Sequence, residues 1–122
     1  MNSEQFNTIL EQRIEKIRAT LAGKAKEYAI GDRLYNFKRA AELQRSTPEK
    51  ALLGMMTKHL VSVLDLIEGS QNVTGYMINE KIGDSINYLI LLEALLVEEL
   101  EVIKASKTKC LECADCSNGE IA

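Results

Sequence analysis

The sequence predicts an all-α fold, an antiparallel bundle of about four helices carrying a flexible, cysteine-containing C-terminal tail. Three observations predict it. Apolar residues recur every three or four positions, the period of a helix with one buried face. Proline occurs once in 122 residues, tryptophan is absent and aromatics make up 5%, too few turn and strand formers for a sandwich or barrel. The 46% hydrophobic and 27% charged content is ordinary globular usage, and the length suits one domain with one core.

The first helix runs from Ser3 to about Ala25, because Phe6, Leu10, Ile14, Ile17 and Leu21 are three or four residues apart with charges between them. Gly31, after Tyr28-Ala29-Ile30, breaks it. Asp32 to Leu43 reads as a loop feeding a short second helix. Ser46-Thr47-Pro48-Glu49 is the clearest boundary: Thr47 can cap, and Pro48 suits a first helical position where its missing N–H costs nothing. The third helix therefore spans Pro48 to about Glu68 and stops at Gly69. Ser70 to Ile78 reads as a loop or short turn. A fourth helix begins near Asn79, a good N-cap, and continues to about Ala105. The helical domain is thus 1–105 and the tail 106–122.

Charge narrows the function. The net charge is −3, which argues against general duplex nucleic-acid binding, since that affinity comes from neutralising phosphates. Residues 1–68 hold eleven Lys/Arg and nine Asp/Glu, whereas 69–122 hold four and nine, a mildly basic half and an acidic one. Met1-Asn2-Ser3-Glu4-Gln5 has neither a basic start nor an apolar signal core, and no run of about 18 apolar residues exists. A cytoplasmic location without a membrane span is expected.

Polar residues interrupt two strongly apolar helices. In the third, Lys58, Ser62 and Asp65 follow one stripe, with His59 about 100° to the side. In the fourth, Glu80, Asp84 and Asn87 share a face that turns apolar at Leu91 and Leu95. Buried charge is costly without a compensating partner, metal or ligand. The pattern predicts a pocket at one end of the bundle where Lys58 and Asp65 meet Glu80, Asp84 and Asn87. The plainer reading is a set of ion pairs fixing helix register, with His59 a hydrogen-bonded core residue. The opposite side of the fourth helix is apolar through Leu89, Leu92, Leu96, Leu100 and Ile103, which predicts a homo-oligomer, a dimer or larger.

A basic, aromatic segment precedes them. Lys24, Lys26, Arg33, Lys38 and Arg39 surround Tyr28, Tyr35, Asn36 and Phe37, a combination that suits a phosphate and a nucleobase. Alternatively, Tyr35 and Phe37 simply plug the core from a solvated loop.

The order Lys26-Glu27-Tyr28, Asp32-Arg33-Leu34, Asn36-Phe37, Lys58-His59, Glu80-Lys81-Ile82-Gly83-Asp84 and Asn87-Tyr88 resembles small phage- and prophage-encoded helical proteins. These are distant relatives of the MazG-like all-α NTP pyrophosphatases, and the resemblance covers residues 24–98. In that superfamily carboxylates on two facing helices hold Mg²⁺ on a nucleotide's phosphates while water attacks to release pyrophosphate. The resemblance implies Glu80 and Asp84 as acidic residues of the last core helix. Two departures weigh against hydrolysis. Lys81 stands where a second glutamate is expected, and Lys58, Ser62 and Asp65 replace the acidic pair of the preceding helix.

Three functions follow as expectations. In the first, a phage-type protein binds a nucleotide or nucleotide-derived host defence signal without turning it over. Arg33, Lys38 and Lys58 would then take the phosphates, Tyr28, Tyr35 or Phe37 would stack on the base, and Asn87 would line the pocket. In the second, the chain is a Mg²⁺-dependent pyrophosphatase using Asp65, Glu80 and Asp84. In the third, it docks on a host defence or replication protein. The tail adds Cys110, Cys113 and Cys116, spaced C-x-x-C-x-x-C, where three thiolates can hold one Zn²⁺ if another chain or His59 supplies the fourth ligand.

Overall fold

The computed structural model describes residues 1–23, 31–69 and 72–109, and among these every regular element is helical. In chain order the elements are α1 (Ser3–Leu21), α2 (Tyr35–Gln44), α3 (Pro48–Glu68) and α4 (Gly75–Lys109). The all-α bundle expected from the sequence is therefore present. None of these helices is long and apolar enough to cross a membrane.

Local chemistry sets the helix ends. Asn2 and Gln5 form a reciprocal capping box, each side chain accepting from the other's backbone N–H at 2.8–2.9 Å. The Leu34 N–H donates to Asp32 Oδ1 at 2.9 Å, securing the entry to α2. Thr47 caps α3 by accepting from the Lys50 N–H, and Pro48 follows at the first helical position. Gly69, at φ +67°, ends α3 in the left-handed conformation that favours glycine. Two boundaries differ from expectation. α1 stops at Leu21, with Ala22 as its C-cap. α4 starts a turn earlier than Asn79, because Thr74 accepts from the Met77 N–H at 3.2 Å and caps the helix ahead of Gly75. It also runs on past Ala105 to Lys109.

The core is small and lies between α2, α3 and α4. Leu52 is fully buried, surrounded by Leu34, Phe37, Met56 and Leu95, and Met55, Tyr88, Leu91 and Leu92 pack around that nucleus. Truncating such a residue to alanine costs about 2–5 kcal/mol. α3 runs antiparallel to α4, and α2 antiparallel to α3. α1 instead follows the direction of α4: Arg13 meets Asn79, while Thr20 and Leu21 reach the level of Asn87 and Leu91. No residue of α1 is fully buried. Of its apolar stripe, Ile14, Ile17 and Leu21 are half-buried, whereas Phe6 and Leu10 remain exposed.

Candidate functional site

Where the end of α1, the start of α2 and the middles of α3 and α4 meet, the helices enclose a cavity of about 310 Å³. Its floor is Phe37, Met55 and Leu91, three residues of the core or its margin. Its polar wall is Arg33 and Asn36 from α2 and the loop before it, His59 from α3, and Asp84 and Asn87 from α4. Tyr88 completes the aromatic side, its ring 5.0 Å from that of His59 and tilted by 31°.

Helical spacing explains the convergence. His59 lies one turn after Met55 on the stripe of α3 that faces the core, and Asp84, Asn87, Tyr88 and Leu91 occupy one face of α4. His59 Nδ1 is 3.5 Å from Asp84 Oδ2, an ion pair whenever the imidazole is protonated; the Asp84 side chain is 41% exposed and that of His59 19%. Arg33 is anchored to α1 by donating from Nη2 to the Leu21 carbonyl at 3.2 Å. Asn87 differs from these: its Oδ1 is buried and accepts no hydrogen bond among the described residues. An unsatisfied buried acceptor costs about 1–3 kcal/mol, and this one belongs to a residue of the cavity wall.

The predicted residues divide. Arg33, Phe37, Asp84 and Asn87 do line one cavity, and Phe37 does so while remaining in the core. Lys38 is turned away, its Nζ held by Asp32 Oδ2 at 2.7 Å and Glu98 Oε1 at 2.5 Å. That pairing holds the Asp32 carboxyl below its ordinary pKa and the Lys38 ammonium above its own. Tyr35 is exposed and outside the cavity lining. Lys58 is exposed on the outer side of α3. Asp65 faces a separate shallow hollow with Leu66, Val73, Met77 and Lys81. Glu80 is exposed and accepts a hydrogen bond from Tyr76, whose phenol it pushes above its ordinary pKa.

Lys58, Asp65, Glu80 and Asp84 therefore do not converge on one pocket; of the four, Asp84 alone lines the cavity among the described residues. The described His, Cys, Asp and Glu residues likewise form no cluster of three that could hold a metal. Tyr28, Cys110, Cys113 and Cys116 lie outside the described residues. Asn36, His59 and Tyr88 join the wall; the sequence sets Asn36 among the basic and aromatic residues suited to a nucleotide but gives His59 and Tyr88 no place in the pocket. For His59 a signal existed: its register matches Met55 and Met56, not Lys58.

The chain matches no protein family, no curated protein and no solved structure. The fold and the cavity define a small all-α protein with a polar-walled pocket, and the functional reading rests on that pocket.

Proposed function

We propose that the cavity binds one nucleotide-type ligand and holds it without hydrolysis. The observation that carries this is Asn87, a wall residue whose Oδ1 is buried and without a partner among the described residues, beside Arg33, His59 and Asp84. A base hydrogen-bonds the Asn87 amide, the His59–Tyr88 pair supplies aromatic surface for its ring, and Arg33 supplies positive charge toward a phosphate. Asp84 is placed to accept from a sugar hydroxyl. About 310 Å³ is the small end of ligand pockets, room for one nucleoside unit with its phosphates at the mouth.

Binding is favoured over turnover because Asp65 and Glu80 stand apart from the cavity, so among the described residues the expected donor set for a phosphate-bound Mg²⁺ is not assembled there. Holding a nucleotide-derived signal without consuming it is sequestration, the role a phage product would play in its host. Calorimetric titration with each nucleoside mono- and triphosphate and with cyclic dinucleotides, with and without Mg²⁺, tests this. Saturable binding with no pyrophosphate released is expected. Release of pyrophosphate would instead establish the pyrophosphatase reading, and absence of binding by every nucleotide would end both.

A further inference from the structure

The cavity occupies one side of the α3–α4 pair, while another side is apolar and open. On α4, Leu89, Leu92, Leu96, Leu100 and Ile103 fall within about 80° of one another around the helix axis. Leu89 is 52% exposed, Leu96 50% and Ile103 44%. A groove of about 290 Å³ follows Leu89, Leu92, Leu96 and Leu100, edged by Glu93 and Val97. On α3, Leu53, Leu60, Leu64 and Ile67 form a second stripe, 38–74% exposed. Each stripe is centred roughly 100° around its helix from the core residues, in the same rotational sense, with Leu92 at its inner edge also packing against the core. On antiparallel helices that places both stripes on one side of the pair.

We infer that this face joins two copies of the chain, with α4 crossing its own copy antiparallel about a twofold axis at Leu96. The register selects a second copy over any other occupant. Leu89 and Leu92 stand seven and four residues before Leu96, and Leu100 and Ile103 stand four and seven after it. Turned end for end, the stripe superposes on itself: Leu89 meets Ile103, Leu92 meets Leu100, and Leu96 meets Leu96. A twofold contact requires that self-complementarity. α4 also outruns the helix it packs on. Glu49, at the start of α3, hydrogen-bonds Glu99, and Leu100–Lys109 continue past that point. The antiparallel copy lays its Leu89 turn against this extension. Interfaces of standard size bury about 800 Å² per partner, and the exposed leucines and isoleucines of α4 and the start of α3 supply apolar surface toward it.

Light scattering on the full chain is expected to give twice 13.6 kDa, and Leu96→Asp to give the single-chain mass with helix content retained. A second measurement holds even if that variant fails to fold. In a background of Cys110→Ser, Cys113→Ser and Cys116→Ser, mild oxidation is expected to link Leu96→Cys to itself. Leu89→Cys alone should stay unlinked, yet form a disulfide when mixed with Ile103→Cys. A single-chain mass for the unmodified protein, a folded Leu96→Asp protein that stays dimeric, or self-linking by Leu89→Cys would each overturn the inference.

Discussion

Arg13 on α1 lies against Gly83 on α4 so closely that a methyl group at position 83 would stand 2.5 Å from Arg13 Nη1. The missing side chain opens the path by which the guanidinium donates to Asn79, to Oδ1 at 3.0 Å and to the carbonyl at 3.4 Å. This is a polar lock for a helix that buries no residue fully. Gly83→Ala, worth about 1 kcal/mol in helix propensity, is expected to bring little net stability, because Arg13 must leave Asn79. In an Arg13→Ala background the full gain should appear. Denaturant melts of the four proteins are expected to give a coupling of about 0.5–1 kcal/mol; additivity would show that Arg13 does not dock α1.

Lys38 secures the segment that carries Arg33, Asn36 and Phe37 into the cavity. Its donation to Asp32, together with that of the Leu34 N–H, depresses the Asp32 pKa in the folded state. The resulting stability is present above the unfolded value near about 3.9 and is lost as pH falls through the folded one. For Lys38, raised by Asp32 first and Glu98 second, the contribution is present below the unfolded value near about 10.4 and lost as pH rises through the folded one. Lys38→Met is expected to cost about 0.5–1 kcal/mol at neutral pH, since the side chains are over a third exposed. Urea melts down to about pH 3 should show less acid sensitivity in the variant. An unchanged acid limb would contradict the bridge.

Glu99 shares a hydrogen bond with Glu49, and the neighbouring carboxylate raises its pKa. A raised folded pKa means stability present below the unfolded value and lost as pH rises through the folded one. Glu99→Gln is therefore expected to melt higher than the unmodified protein at neutral pH, with the difference shrinking toward about pH 4. Thermal melts across that range check it, and a variant that melts lower at neutral pH would contradict it.

The helices were legible because their signals are local. Thr47-Pro48 and Gly69 delimit α3 as expected, whereas Thr74-Gly75 reads as a turn although Thr74 caps α4. Asp84 and Asn87, two of the five expected pocket residues, gather for a similar reason: they belong to a stripe of α4 whose apolar continuation, Leu91 and Leu95, identifies it as inward-facing. α3 offered no such guide. It is apolar on nearly every side, so periodicity could not say which face meets the core. The polar stripe predicts Lys58 and Asp65 inward, whereas Leu52, Met56 and His59 face in. The apolar face left outside, Leu53 to Ile67, is what made the helix uniform. Lys38 is held both by Asp32, six residues away, and by Glu98, sixty residues away in sequence, and no local pattern announces the second.

The most direct test of the account is the Asn87→Leu protein. Replacing the amide by an apolar group of similar volume removes an unpaired buried acceptor, so the ligand-free protein is expected to gain about 1 kcal/mol in stability. Its affinity for the nucleotide that binds the unmodified chain is expected to fall at least about tenfold, roughly 1.4 kcal/mol. Titration of both proteins with that nucleotide, beside their melts, decides the matter: stability gained with binding lost is the predicted result, and unchanged binding would contradict the claim that this cavity is the site.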